Sequence, residues 1–142
     1  MANSIYRGSD TTPTVIFATA AFPSTFTATD WIDVRGFTHI DFLVKLTSGQ
    51  SVVDLELAVD FATANGPNAA AYPLQLEEYV AGPPVRAKQD RYVVDASGVF
   101  SGASGAYGLP VPVHGRYMRL NFKGGPSVGS DQAEVSAFRR SS

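Results

Sequence analysis

Between His39 and Thr47 the apolar residues Ile40, Phe42, Val44 and Leu46 occupy every second position, against His39, Asp41 and Lys45 on the other parity. Val53, Leu55, Leu57, Val59 and Phe61 repeat the pattern against Asp54, Glu56 and Asp60. Met118, Leu120 and Phe122 repeat it again, against Tyr117, Arg119, Asn121 and Lys123. Successive side chains of a strand point to opposite faces, so a period of two marks a strand with one buried and one wet face. These eleven apolar residues, Phe61 apart, are the expected core, and the chain reads as an all-β, antiparallel β-sandwich.

Turn residues divide the rest. Residues 1–12 are mostly polar and read as a flexible N-terminal arm, and residues 13–142 as a single sandwich domain. Thr14–Ala20 and Thr25–Val34 are expected strands on either side of Phe22-Pro23-Ser24. Ser48-Gly49-Gln50 reads as a hairpin loop, which would pair the His39 and Val53 strands antiparallel. Tyr72–Val80, Asp90–Asp95, Arg116–Lys123 and Ala133–Arg139 complete about eight strands, separated by breakers such as Asn65-Gly66-Pro67 and Gly82-Pro83-Pro84. Pro110 and Pro112 predict an extended edge segment. The glycine-rich stretch 96–108 reads as a long loop, of the kind that is either functional or covered by a neighbour. Eight antiparallel strands in a domain of this size suggest a jelly roll or a related two-sheet sandwich.

Composition narrows the function classes. The net charge of −2 lacks the basic excess expected of a nucleic-acid partner. Residues 1–71 carry three Lys or Arg against seven Asp or Glu, and residues 72–142 carry eight against six, a mild asymmetry that would suit head-to-tail packing of subunits. No cysteine is present, so neither a disulfide framework nor a thiolate metal site is expected, and synthesis in a reducing cytoplasm is. No stretch approaches the ~20 apolar residues of a spanning helix, and no secretory signal pattern opens the sequence, so no membrane partner is expected.

Chemistry is sparse. His39 and Asp41 share a strand face, but no Gly-x-Ser-x-Gly nucleophile turn accompanies them. Asp54, Glu56 and Asp60 share a wet face, the first two ~6–7 Å apart, a spacing that could suit a glycosidase or a calcium site, although alternation alone already demands polar residues there. The glycines at 98, 102, 105 and 108 have no following Gly-Lys-Ser/Thr and do not form a phosphate cradle. No enzyme activity, cofactor or metal is expected. Tyr117 opposes the core set Met118, Leu120 and Phe122 and should face outward beside Arg119, as a subunit contact or as a stacking platform for a sugar. The candidate interface is Tyr6 and Arg7 in the arm, Val99, Phe100 and Tyr107 as apolar anchors of the glycine-rich loop, and Tyr117 with Arg119.

A short cysteine-free all-β chain with a polar arm at Met1–Thr12, and with the phrases Asp30-Trp31-Ile32-Asp33-Val34-Arg35-Gly36-Phe37 and Arg116-Tyr117-Met118-Arg119-Leu120-Asn121-Phe122, resembles the small structural proteins of tailed-bacteriophage particles. The likeness is greatest to capsid decoration (cement) proteins and related head or tail jelly rolls. It implies a virion component made in the host cytoplasm that assembles as a homo-oligomer, such as a trimer, on the major capsid protein or other virion proteins. Discoidin-like sandwiches carry a similar late Arg-Tyr-x-Arg-Leu strand, and that resemblance implies carbohydrate binding instead.

Overall fold

The computed structural model describes residues 8–47, 54–65, 70–74, 76–80, 85–89, 92–95, 104–125 and 131–141, with 54, 76–80, 85–89, 92–95, 104 and 125 described as backbone alone. The strands are β1 (Thr14–Ala21), β2 (Thr27–Ala28), β3 (Ile32–Asp33), β4 (His39–Thr47), β5 (Asp54–Ala62), β6 (Tyr72–Pro73), β7 (Leu76–Val80), β8 (Val85–Gln89), β9 (Tyr92–Asp95), β10 (Ser104–Pro112), β11 (Tyr117–Gly125) and β12 (Gln132–Arg140). No helix occurs among the described residues, and the strand pairings are antiparallel.

One sheet has the order β1-β12-β4-β10. In the other, β11 and β5 lie side by side at the centre. β2 and β3 both pair with the free edge of β11, at Asn121–Phe122 and at Tyr117–Met118. β9 and β6 likewise share the free edge of β5. Each couple forms one interrupted lane, so the second sheet is also four lanes wide. β7 and β8 form a separate ribbon. Counted along the chain, the first lane pairs with the eighth, the second with the seventh, the third with the sixth and the fourth with the fifth. That nesting is the jelly roll.

The expected hairpin between the His39 and Val53 strands does not form: β4 and β5 lie in opposite sheets. Alternation determines which face of a strand is buried, not which strand lies beside it. Here both strands turn their apolar faces into the same core from opposite sides. Ile40, Phe42, Val44, Leu46, Leu55, Leu57, Val59, Met118, Leu120 and Phe122 are each at most 2% exposed, while Val53 lies outside the described residues. Ala133, Val135 and Ala137 of β12, Leu109 and Val111 of β10, and Ile16, Phe22, Ile32 and Val34 complete the core. Phe122 joins the two layers, its ring meeting those of Phe17 at 4.9 Å and Phe22 at 5.8 Å, both edge-on.

Thr25–Val34 is not the single strand its threonines suggested. Between β2 and β3 the chain leaves the ladder, and Asp30 N–H turns to the Ile16 carbonyl of the opposite sheet at 2.9 Å. Thr29 fills the gap. Its N–H donates to the Leu120 carbonyl at 2.8 Å, and its hydroxyl accepts the Leu120 N–H at 3.1 Å. After β3, Phe37 N–H closes a turn onto the Val34 carbonyl, and Gly36 supplies the φ of 82° that the third turn position requires. The Tyr72–Val80 expectation divides into β6 and β7, the last part of Asp90–Asp95 forms β9, and β8 was not anticipated.

The expected loop 96–108 is corrected at its second half. Residues 104–108 belong to β10, where Tyr107, Leu109 and Val111 share the core side and small residues or prolines alternate with them. Pro110 and Pro112 lie on this sheet's edge strand, as their ring chemistry predicts. Val113 N–H bonds the Thr38 carbonyl at 3.0 Å. By alternation the even positions of β10 therefore aim their nitrogens away from β4, so the two prolines cost no ladder bond.

Candidate functional site

Outward side chains of the second sheet form a self-satisfied charge lattice. The β11–β5 register sets Arg119 opposite Asp60 and Lys123 opposite Glu56. Both cross-strand pairs are ion pairs, at 2.9 Å and 3.0 Å. Asp60 also accepts from Asn121 Nδ2. The Arg119 guanidinium lies 4.3 Å from the Trp31 ring centre, and Lys123 Nζ lies 5.2 Å from that of Phe26. Tyr117 does face outward on β11, half-buried, with the Arg116 guanidinium 5.4 Å from its ring centre. The carboxylates that looked like a possible ligand set are thus partnered by cations of the next strand at two of their three positions.

At one end of the sandwich, near the start of β4, the first and last described segments, residues 9–10 and 139–141, are clasped together. Arg139 N–H and Nε donate to Asp10 Oδ2 at 2.8 Å and 3.0 Å, and Arg139 Nη2 to Oδ1 at 3.1 Å. The same guanidinium donates to the Asp33 carbonyl and lies over the Phe37 ring. Ser141 N–H donates to Ser9 Oγ at 3.1 Å. Burial alone would raise the Asp10 carboxyl. The Arg139 hydrogen bonds and charge outweigh it and hold Asp10 below the ordinary carboxylate range. Within the expected arm, then, Ser9 and Asp10 are tied to the domain, and residues 1–7, with Tyr6 and Arg7, lie outside the described residues.

The outer face of the first sheet is different in character. The registers place Val15, Ser136, Leu43 and Gly108 side by side across all four strands. Toward the end of β4 that follows, Glu134, Lys45 and Ala106 form the next row. Leu43 is half-buried and Val15 is 52% exposed. Around them a shallow depression of about 450 Å³ is lined by Pro13, Leu43, Lys45, Gly105, Ala106, Glu134 and Ser136 among others. Thr19 Oγ1 donates to Glu134 Oε2 at 3.0 Å. Lys45 has no ion-pair partner among the described residues. This face escaped sequence reasoning, although one signal was present: Leu43 is an apolar residue on the wet parity of the His39 strand.

Of the residues expected at an interface, Tyr117 and Arg119 share the outer face of the second sheet. Tyr107 packs against the core from β10 and is not a loop anchor. Val99 and Phe100 lie outside the described residues. His39 Nδ1 is 3.0 Å from Thr38 Oγ1, and Asp41 pairs with Arg140 at 2.9 Å. His114 Nδ1 lies 3.0 Å from the Pro112 carbonyl, and its ring joins Phe61 and Tyr72 at the end of the sandwich. Among the described residues no group of three His, Asp or Glu is placed to hold a metal, and no helix is long and apolar enough to cross a membrane. Compared with known proteins, the chain matches no protein-family model and no curated relative.

Proposed function

We propose that this chain is a non-enzymatic virion structural protein, a capsid decoration (cement) protein of a tailed bacteriophage that binds and stabilises the particle surface as a homo-oligomer. The observation that carries the reading is the outer face of the first sheet. It sets the apolar Val15 and Leu43 in one row beside a shallow depression, a surface suited to another protein more than to a reacting small molecule. The jelly roll agrees, being an architecture of capsid and lectin domains alike. The rings a sugar would stack on favour capsid over lectin, because Arg119 covers Trp31 and Arg116 lies against Tyr117.

The test is co-sedimentation of the pure protein with phage particles assembled without it. Saturable binding and a higher temperature of particle disruption are expected. No binding to any such particle, together with glycan binding that Tyr117→Ala abolishes, would replace this reading with the carbohydrate-binding module.

A further inference from the structure

We propose that the outer face of the β1-β12-β4-β10 sheet is a two-fold interface between two copies of this chain, with the rotation axis running along the strands between β12 and β4. This deepens the oligomer in the reading above and rests on it only for its biological setting. An isologous contact requires a patch that complements itself. Over the Val15 and Glu134 rows the register supplies one. A half-turn about an axis between the two central strands exchanges β12 with β4 and β1 with β10. Glu134 and Lys45 are opposite each other in one chain, so each would face the other's counterpart in the second copy, giving two ion pairs related by symmetry.

The apolar row behaves the same way. Leu43 of one copy meets Ser136 of the other, and the protruding Val15 meets Gly108, large against small at each crossing. Strands on the two sides then run nearly parallel, which the twist of aligned sheet packing accommodates. The area is sufficient. Four strands ~4.8 Å apart and ~30 Å long present roughly 600 Å² in projection, close to the ~800 Å² of accessible surface per partner in an ordinary stable interface.

Sedimentation velocity on the full chain tests it. The wild type is expected to be a dimer. Lys45→Glu and Glu134→Lys each set like charges across the axis twice and should weaken association at least about a hundredfold. An equimolar mixture of these two monomeric variants should dimerise again, since every contact then pairs opposite charges. Circular dichroism of each variant reports its folding. Gly108→Arg provides a second probe should a charge variant misfold, because a Cβ at this position meets only Leu43 Cδ2, at an ordinary 3.5 Å. It should retain the wild-type melting temperature and lose the dimer.

A monomeric wild type, dimeric single variants of wild-type affinity, or a mixture that stays monomeric would each overturn the proposal. The measurement involves no particle. A monomer that still binds particles overturns the two-fold face and the oligomer but leaves the virion reading, and a dimer that binds none overturns the virion reading alone.

Discussion

Thr29 is 5% exposed and holds a place in the sheet with its side chain, because its hydroxyl receives the Leu120 N–H where no neighbouring carbonyl is aligned to do so. Thr29→Val keeps the shape and strands that N–H in the interior. A loss of ~1–3 kcal/mol is expected, seen as a lower urea midpoint at unchanged slope, with Thr29→Ser retaining most of the stability. Gly115 is constrained from two directions: its φ is 64°, and a Cβ there would come within 2.9 Å of the Ala62 carbonyl oxygen. Asp10 introduces a pH dependence. Its folded pKa is lowered, so the stability it confers is complete above its unfolded value of ~3.9 and is lost as pH falls through the folded one. Wild type and Asp10→Asn should therefore differ in melting temperature at pH 7, and the difference should shrink as the pH falls through the lowered folded pKa of Asp10. A difference that persists unchanged in acid would mean the Arg139 clasp contributes nothing electrostatic.

Among the elements, those with unbroken alternation were legible almost to the residue: β4, β5 and β11 differ from the expected bounds by two positions at most. Their faces were legible too, including the outward Arg119. Their neighbours were not, since pairing depends on the course of the whole chain, and the Asp60 and Glu56 partners of β11 stayed hidden with it. β10 was obscured for another reason. Its outward positions carry glycine, alanine and proline, whose loop character masks the period kept by Tyr107, Leu109 and Val111. The prolines make an element-scale prediction. Replacing Pro110 and Pro112 together with threonine restores two N–H donors to an open sheet edge. The variant is expected to melt within a few degrees of wild type yet aggregate faster under stirring, as thioflavin fluorescence would record. Phe122→Ala, which removes the ring bridging the two layers, should cost ~3–5 kcal/mol.

For the whole molecule, the two outer faces differ in how their charges are partnered, although the first sheet also carries the Asp41–Arg140 pair. The second sheet spends its cations on its own carboxylates and on Trp31 and Phe26, whereas the first presents Leu43, Val15 and an unpaired Lys45 among the described residues. The proposed particle docking and the proposed self-association can be tested separately. Removing residues 1–7 leaves the Asp10 clasp in place, so the melting temperature should stay within a degree or so of wild type, and particle binding is expected to fall if the arm makes the docking contact. Full occupancy by the truncated chain would assign docking to the domain itself.

The clasp has a further consequence. With Ser9 bonded to Ser141 and Asp10 to Arg139, the first and eighth lanes finish at one corner, and the backbone traces a nearly closed ring. A short glycine linker from residue 8 to residue 141 would complete that ring without moving a strand. The chain could then be cut anew in the exposed segment 63–65, just after β5. Such a circular permutant keeps the pairing of the lanes and should unfold in a single transition near the wild-type temperature.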